Sequence, residues 1–160
     1  MKKTKTLYAA YGSNLNIAQM KMRCPTAQPI AKTSLKDYRL VFQGMLQGAH
    51  ANVIPAPGES VPIVIWEISA ADEKALDRYE GVAGGYYTRE YLHGTVDGKE
   101  QTILIYIMTP HDYGNPNDGY LATIVQGYAD FDLDVKALNA GLWFSAEKAK
   151  RRKKEELLWN

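Results

Sequence analysis

Three stretches of the chain hold residues whose types and spacing could do chemistry. The first is Tyr8-Ala9-Ala10-Tyr11-Gly12-Ser13-Asn14-Leu15. A strand that turns on glycine into a helix aims several backbone amides at one spot, and the helix dipole adds partial positive charge there. Gly12 has no side chain to keep a ligand away from the backbone. Such a turn suits a carboxylate or a developing oxyanion. Gly-Ser-Asn is also a common turn with a helix cap, and taken alone the motif leans to that simpler reading. The second stretch is Leu76-Asp77-Arg78-Tyr79-Glu80-Gly81. At about 100° per residue, Glu80 lies at the edge of the apolar stripe of Ala75, Leu76 and Tyr79. A half-buried carboxyl near a helix C-terminus is disfavoured in its charged form, which raises its pKa as a general acid/base requires. The simpler alternative is a surface carboxylate in a helix-ending turn. The third candidate is Tyr120, early in a helix that follows a loop rich in proline and glycine; with eleven tyrosines in the chain, it does not stand out by type alone.

Other reactive residue types point elsewhere. Cys24 is the single cysteine and cannot form an internal disulfide. It could serve as a nucleophile with a histidine base, but beside Pro25 it reads as a small core residue at a helix end. His50, His93 and His111 share no helical spacing, so all three read as non-catalytic, and one thiol with three scattered histidines makes no zinc pattern. Tyr86 and Tyr87 beside Arg89 read as sheet packing with a structural ion pair.

The elements that must position these residues follow from local signals. Thr6–Tyr11 reads as a strand, and a helix from about Leu15 to Arg23 follows, capped by Ser13 or Asn14 and stopped by Pro25. Strands are expected near residues 38–47, 51–54 and 61–68, the last dense in β-branched side chains. Ser69 starts a helix with Asp72 and Glu73 in its first turn, and Gly81 ends it. Tyr86–Val96 and Gln101–Met108 read as a hairpin through Asp97-Gly98. The loop Thr109–Asn117 is irregular, a helix from Asp118 carries Leu121, Ile124, Val125 and Tyr128 on one stripe, and a last helix starts near Asp134. Strands in succession with a few short helices predict an α+β fold, a mixed or antiparallel sheet curled into a small barrel and flanked by short helices.

Bulk properties narrow the function classes. The chain has 160 residues, 46% of them apolar and 23% charged, as expected for one globular domain that needs neither disulfides nor a metal to hold its core. The longest apolar run, Ile103–Met108, is too short to span a bilayer, and no apolar signal-peptide core follows the basic start. Neither secretion nor membrane insertion is expected, and the lone cysteine fits a cytoplasmic setting. The net charge of +1 hides a split. Lys2, Lys3 and Lys5 make the N-terminus basic, and Glu147–Glu156 holds six basic and three acidic residues, so the body between is acidic. An acidic body argues against nucleic acid as the main ligand. The run from Lys148 to Lys154 reads as the solvated end of the last helix, and residues 148–160 are expected as a basic helical tail on a domain of residues 1–147.

The joint pattern of Tyr8–Leu15, Leu76–Val82 and Tyr87-Thr88-Arg89 resembles the gamma-glutamylcyclotransferase superfamily, including its AIG2-like members. The likeness runs from about Leu7 to Asp132, through Asp37–Phe42 and Pro62–Trp66. The resemblance implies a small mixed β-barrel flanked by helices. It implies that the turn residues Tyr8, Ala9, Ala10, Tyr11, Gly12 and Ser13 bind substrate, with Tyr120 as a further substrate-binding residue. It places the catalytic glutamate at Glu80. The activity implied is cyclisation of a gamma-glutamyl amide to 5-oxoproline with release of an amine or amino acid, an intramolecular acyl transfer that needs no metal or cofactor and no covalent enzyme nucleophile. The partner is then a small-molecule gamma-glutamyl amide, acted on by a monomer or homodimer. A non-catalytic binding protein that uses the same pocket for a carboxylate ligand is the alternative.

Overall fold

The computed structural model describes residues 5–159; Lys2 and Lys3 lie outside the described residues. Strand β1, Thr6–Ala10, runs through the middle of the sheet. It pairs antiparallel with β3, His50–Ile68, and parallel with β5, Lys99–Met108. With sheet on both sides and helices over it, its second half must be apolar and small, and Ala9 and Ala10 are fully buried. Adding β2, Gln28–Gly44, β4, Tyr87–Val96, and the two-residue β6, Asp112–Tyr113, gives a six-stranded mixed sheet in the order β4-β5-β1-β3-β2-β6. Four helices flank it: α1 Ile17–Arg23, α2 Ala70–Tyr79, α3 Asp118–Asp130 and α4 Lys136–Trp159. The α+β architecture is the expected one. The barrel is open rather than closed, since β4 and β6 stand at the two ends of the hydrogen-bonded order.

Where the sequence predicts three separate strands between residues 38 and 68, the chain forms one long hairpin of β2 and β3. Residues 28–37 are polar and include Pro29, so they show no alternation of their own. They are extended because β3 offers a partner from Glu67 back to Ser60. Pro29 sits at a register irregularity, where its missing amide is tolerated. A second irregularity falls between Lys36 and Tyr38, where Asp37 takes a φ of 65° and accepts from the Gly58 amide at 2.9 Å. The Thr109–Asn117 loop is mostly irregular as expected, apart from β6, which pairs with Gln43 and Gly44.

Helix α2 begins and ends on local chemistry. Ser69 and Asp72 form a reciprocal capping box. At the other end Gly81 adopts a φ of 64°, its amide bonds Arg78 O at 3.1 Å, and the Val82 amide bonds Asp77 O at 3.0 Å. This double bond pattern needs a left-handed residue, and glycine supplies it without strain. Leu76 and Ala75 are buried as expected, but Tyr79 is 57% exposed and does not belong to the apolar stripe. An ion cluster fixes the helix to the hairpin of β4 and β5. Arg89 bridges Glu73 and Asp77, the latter at 2.8 Å, and Tyr106 Oη donates to Asp77 Oδ1 at 2.7 Å.

The helices over the other end of β1 are held more closely still. The first turn after Gly12 is a short 3₁₀ segment, Ser13–Leu15, and α1 follows after it. Asn16, not Ser13 or Asn14, caps α1 by accepting from the Gln19 amide at 2.9 Å. Helix α3 lies across this turn: Asn16 Nδ2 donates to Thr123 O at 3.1 Å, and Asp130 accepts from the Ile17 amide at 3.0 Å. Of the expected α3 stripe, Ile124 and Tyr128 are buried, whereas Val125 is 47% exposed. Helix α4 packs Leu138, Gly141 and Ser145 on β2, and Ser145 Oγ accepts from the Phe42 amide at 2.8 Å.

The closest approach of α3 to the turn is at Gly127, where an added Cβ would stand 2.7 Å from the backbone carbon of Leu15. Helix propensity favours alanine over glycine by about 1 kcal/mol. The clash wins, because overpacking against a backbone costs about 1–3 kcal/mol. Gly127→Ala is therefore expected to lower the midpoint of thermal unfolding, which calorimetry would read. An unchanged or raised midpoint would mean that α3 moves freely on the turn.

Candidate active site

The C-terminal end of β1, the turn after it and the C-terminal end of α2 meet around one cavity of about 160 Å³. Of the residues expected to act there, Tyr8, Tyr11, Gly12, Ser13, Glu80 and Tyr120 all line it. Ala9 and Ala10 do not: they are sealed in the sheet behind Tyr8 and Tyr11 and only carry the strand to the turn. The cavity also takes in residues that the sequence reading left out, namely Asn14, Arg23, His50, Ala51, Tyr79, Tyr86, Tyr87 and Tyr106.

Asn14 is the most consequential of these. It is not a helix cap. Its Nδ2 donates to Tyr8 Oη at 2.9 Å and faces Glu80 Oε1 at 3.5 Å. Its Oδ1 accepts from Arg23 at 2.9 Å and Gln19 at 3.3 Å. His50, read from the sequence as non-catalytic, stands in the wall with Nδ1 at 2.8 Å from Tyr86 Oη and its ring edge-on to Tyr120 at 4.9 Å. Burial holds the His50 pKa below its ordinary value, toward the neutral imidazole. Tyr87 is a wall residue as well as a sheet residue, with its Oη donating to Ala51 O at 2.6 Å, whereas Tyr86, expected in the same strand, lies in the bend just before β4 and lines the wall from there. No sequence signal marks His50 or Tyr86, because cross-sheet neighbours have no fixed spacing along the chain. Arg89 keeps the structural role expected of it.

The wall is rich in donors. Tyr120 Oη accepts from the Ala51 amide at 2.9 Å, and Tyr8 Oη accepts from Asn14, so the proton of each hydroxyl is free for a ligand. The amides of Gly12, Ser13 and Asn14 meet no acceptor among the described residues. Burial, with the Glu80 carboxylate adding to it, pushes the Tyr8 hydroxyl far above the usual phenol range, and burial does the same for Tyr120. Both stay protonated and serve as donors. The one acidic group is Glu80, at the C-terminal end of α2. Burial pushes its carboxyl up to about 7, with the Arg23 guanidinium pulling the other way. Near neutral pH it can both take and return a proton. Cys24 lies outside the cavity, is 1% exposed and donates to Asp72 O at 3.6 Å. Burial raises its thiol to about 12, so it is a core residue and not a thiolate.

Comparison with known proteins agrees with this geometry. The family described as gamma-glutamyl cyclotransferase, AIG2-like, matches residues 8–127. The gamma-glutamylcyclotransferase of Homo sapiens is 34% identical over 138 residues, covering 81% of this chain and 73% of the relative. That of Mus musculus is 34% identical over 129 residues, covering 76% and 69%. A solved structure of a gamma-glutamyl cyclotransferase superposes with a TM-score of 0.75 at 28% identity, covering 92% of this chain and 87% of the other.

The raised carboxyl also has a thermodynamic consequence. Glu80 titrates near 7 in the fold against an ordinary 4.5, so between those values the folded protein holds a proton that the unfolded chain has lost. The contribution to stability is complete below about 4.5 and is lost as the pH rises through about 7. Glu80→Gln removes this dependence. It is expected to be more stable than the parent at pH 8, by about 2 kcal/mol, with the gap closing toward pH 4. Denaturant unfolding at the two pH values checks this, and a gap of equal size at both would place Glu80 in water.

Proposed function

The chain belongs to the gamma-glutamyl cyclotransferase, AIG2-like family, and from that premise we propose that it cyclises a small-molecule gamma-glutamyl amide to 5-oxoproline with release of an amine or amino acid. Glu80 is the acid/base and the turn from Tyr11 to Asn14 the binding cradle. The observation that carries the reading is the Glu80 carboxyl, poised near neutral pH in a cavity that also holds the Tyr8 and Tyr120 hydroxyls and the unpaired turn amides. Glu80 takes a proton from the α-ammonium of the glutamyl group. The freed amine attacks the γ-carbonyl, forming the lactam C–N bond and placing negative charge on the carbonyl oxygen. Free turn amides and the Tyr8 and Tyr120 hydroxyls are the donors for that oxyanion and for the glutamyl carboxylate. The proton on Glu80 then passes to the leaving nitrogen as the original amide bond breaks. The ring nitrogen gives its second proton by way of the Glu80 carboxylate to the released amine, which departs as an ammonium, and Glu80 returns to its starting state.

Holding amine and carbonyl in a closing conformation is the rest of the catalysis. No helix among the described residues is long and apolar enough to cross a membrane. A monomer or homodimer in the cytoplasm fits this reading, with residues 1–147 as the catalytic domain and the basic helix end 148–160 outside it.

The test is release of 5-oxoproline from a panel of gamma-glutamyl amides, comparing the parent with Glu80→Gln. Turnover is expected for the parent alone, with a loss of about 10²–10⁴-fold in the variant and little change in substrate binding. The parent's kcat/KM is expected to rise with pH through a midpoint near 7 as Glu80 ionises. Product from neither protein on any amide would leave a pocket that only binds. Equal turnover by both would remove Glu80 from the chemistry.

A further inference from the structure

Asn14 is a buried amide, 3% exposed, whose two ends face opposite kinds of partner. On the oxygen side stand only donors, Arg23 Nη1 at 2.9 Å and Gln19 Nε2 at 3.3 Å. On the nitrogen side stand Tyr8 Oη at 2.9 Å and Glu80 Oε1 at 3.5 Å. Guanidinium has no acceptor, so turning the amide over would set NH₂ against the Arg23 donor and an oxygen against the Glu80 carboxylate. The sense of Asn14 is therefore dictated from its outer side. Arg23 is well placed to dictate it. It sits in the last turn of α1, half-buried, with its guanidinium 4.4 Å over the Tyr79 ring. It forms no ion pair among the described residues.

We propose that Arg23 is a positioning residue, which with Gln19 locks the Asn14 amide so that its NH₂ faces Glu80 and Tyr8. With that sense fixed, Asn14 donates toward the Glu80 carboxylate and favours its basic form. It also occupies a Tyr8 lone pair, so the Tyr8 proton stays turned to the ligand. Besides Glu80, Arg23 is the one charged side chain lining the cavity among the described residues. From the other elements the cavity is lined by Tyr8, Tyr11, Tyr86, Tyr87, Tyr106 and Tyr120, all neutral, and buried His50 leans to its neutral form. No second charge competes with Arg23 for control of Glu80.

The test needs no substrate at first. Carboxyl NMR of the Glu-labelled, ligand-free protein follows the Glu80 titration in the parent, Arg23→Met, Asn14→Ala and the double variant. Arg23→Met is expected to move the Glu80 midpoint from near 7 to about 8, with Arg23→Lys restoring part of the change. If Arg23 acts through Asn14, the double variant shifts by less than the sum of the two single shifts. Additive shifts, or an unmoved midpoint in Arg23→Met, overturn the proposal. The kinetic arm rests on the cyclotransferase reading. There Arg23→Met should lower kcat several-fold at pH 7, recover toward pH 9 and leave KM nearly unchanged. A rise in KM alone, confined to amides whose leaving amine carries a carboxylate, would instead make Arg23 a substrate contact. A parent that makes no 5-oxoproline would defeat the cyclotransferase reading but not the titration result. Arg23 is part-exposed, so Arg23→Met should fold; if it does not, Gln19→Met carries the same titration test from the other donor.

Discussion

A carboxyl group poised to take and return a proton near neutral pH, as proposed for Glu80, must be buried yet within reach of a ligand, and the surroundings of Glu80 meet both conditions. Three features of its position push the same way. It follows the last turn of α2, where carbonyl oxygens and the negative end of the helix dipole disfavour a second negative charge. It faces a cavity of about 160 Å³, and burial beside that cavity is the main cause of its raised pKa. Its polar neighbours are mostly tyrosines, which are neutral and stay so. Against these stands Arg23, which keeps the carboxylate from becoming a permanent acid.

Holding Glu80 there makes the end of α2 the element that cannot move. The Gly81 turn stops the helix so that the chain leaves sharply toward Tyr86 and Tyr87, both cavity residues. Arg89, Asp77, Glu73 and Tyr106 tie the outer face of the same helix to the hairpin of β4 and β5. Single exposed ion pairs are worth little, but a half-buried cluster with a tyrosine in it fixes orientation as well as distance. On the opposite side the position of the binding turn depends on backbone contact. Central β1 ends in two alanines, and α3 rests a glycine directly on Leu15. Small residues serve here because the turn's amides must stay free for a ligand. The turn is held from behind by packing and by Asn16 instead.

The sequence reveals those parts of the molecule whose causes are local. The helix start at Ser69, the stop at Gly81 and the Asp97-Gly98 hairpin each depend on a few adjacent residues, and each forms as expected. The placing of Glu80 beside the Gly12 turn was legible only through the resemblance of two distant motifs taken together. What escaped was determined from across the structure. Residues 28–37 are a strand because β3 pairs with them, although their own composition argues otherwise. Asn14 reads as a cap because a short polar residue after glycine usually is one. Here Asn16 takes that place, and Asn14 turns inward to Tyr8 and Arg23. Spacing along the chain gives His50 no partner, yet β3 delivers it to the wall beside Tyr120.

The inward turn of Asn14 also bears on which way round a substrate can lie. The cavity offers many donors and a single acidic acceptor: free amides at Gly12 to Asn14, hydroxyl protons at Tyr8 and Tyr120, and the Glu80 carboxylate. A glutamyl head group carries one ammonium and one carboxylate. Placed with its ammonium toward Glu80, each charge meets its complement. Reversed, the ammonium would face donors and the carboxylate would face Glu80, a mismatch of like with like that disfavours that orientation. In the proposed reaction the amine is thereby brought to Glu80, so orientation and activation of the substrate would follow from the same asymmetry. The Asn14 amide points the same way, its NH₂ toward Glu80 and Tyr8 and its oxygen held by Arg23 and Gln19.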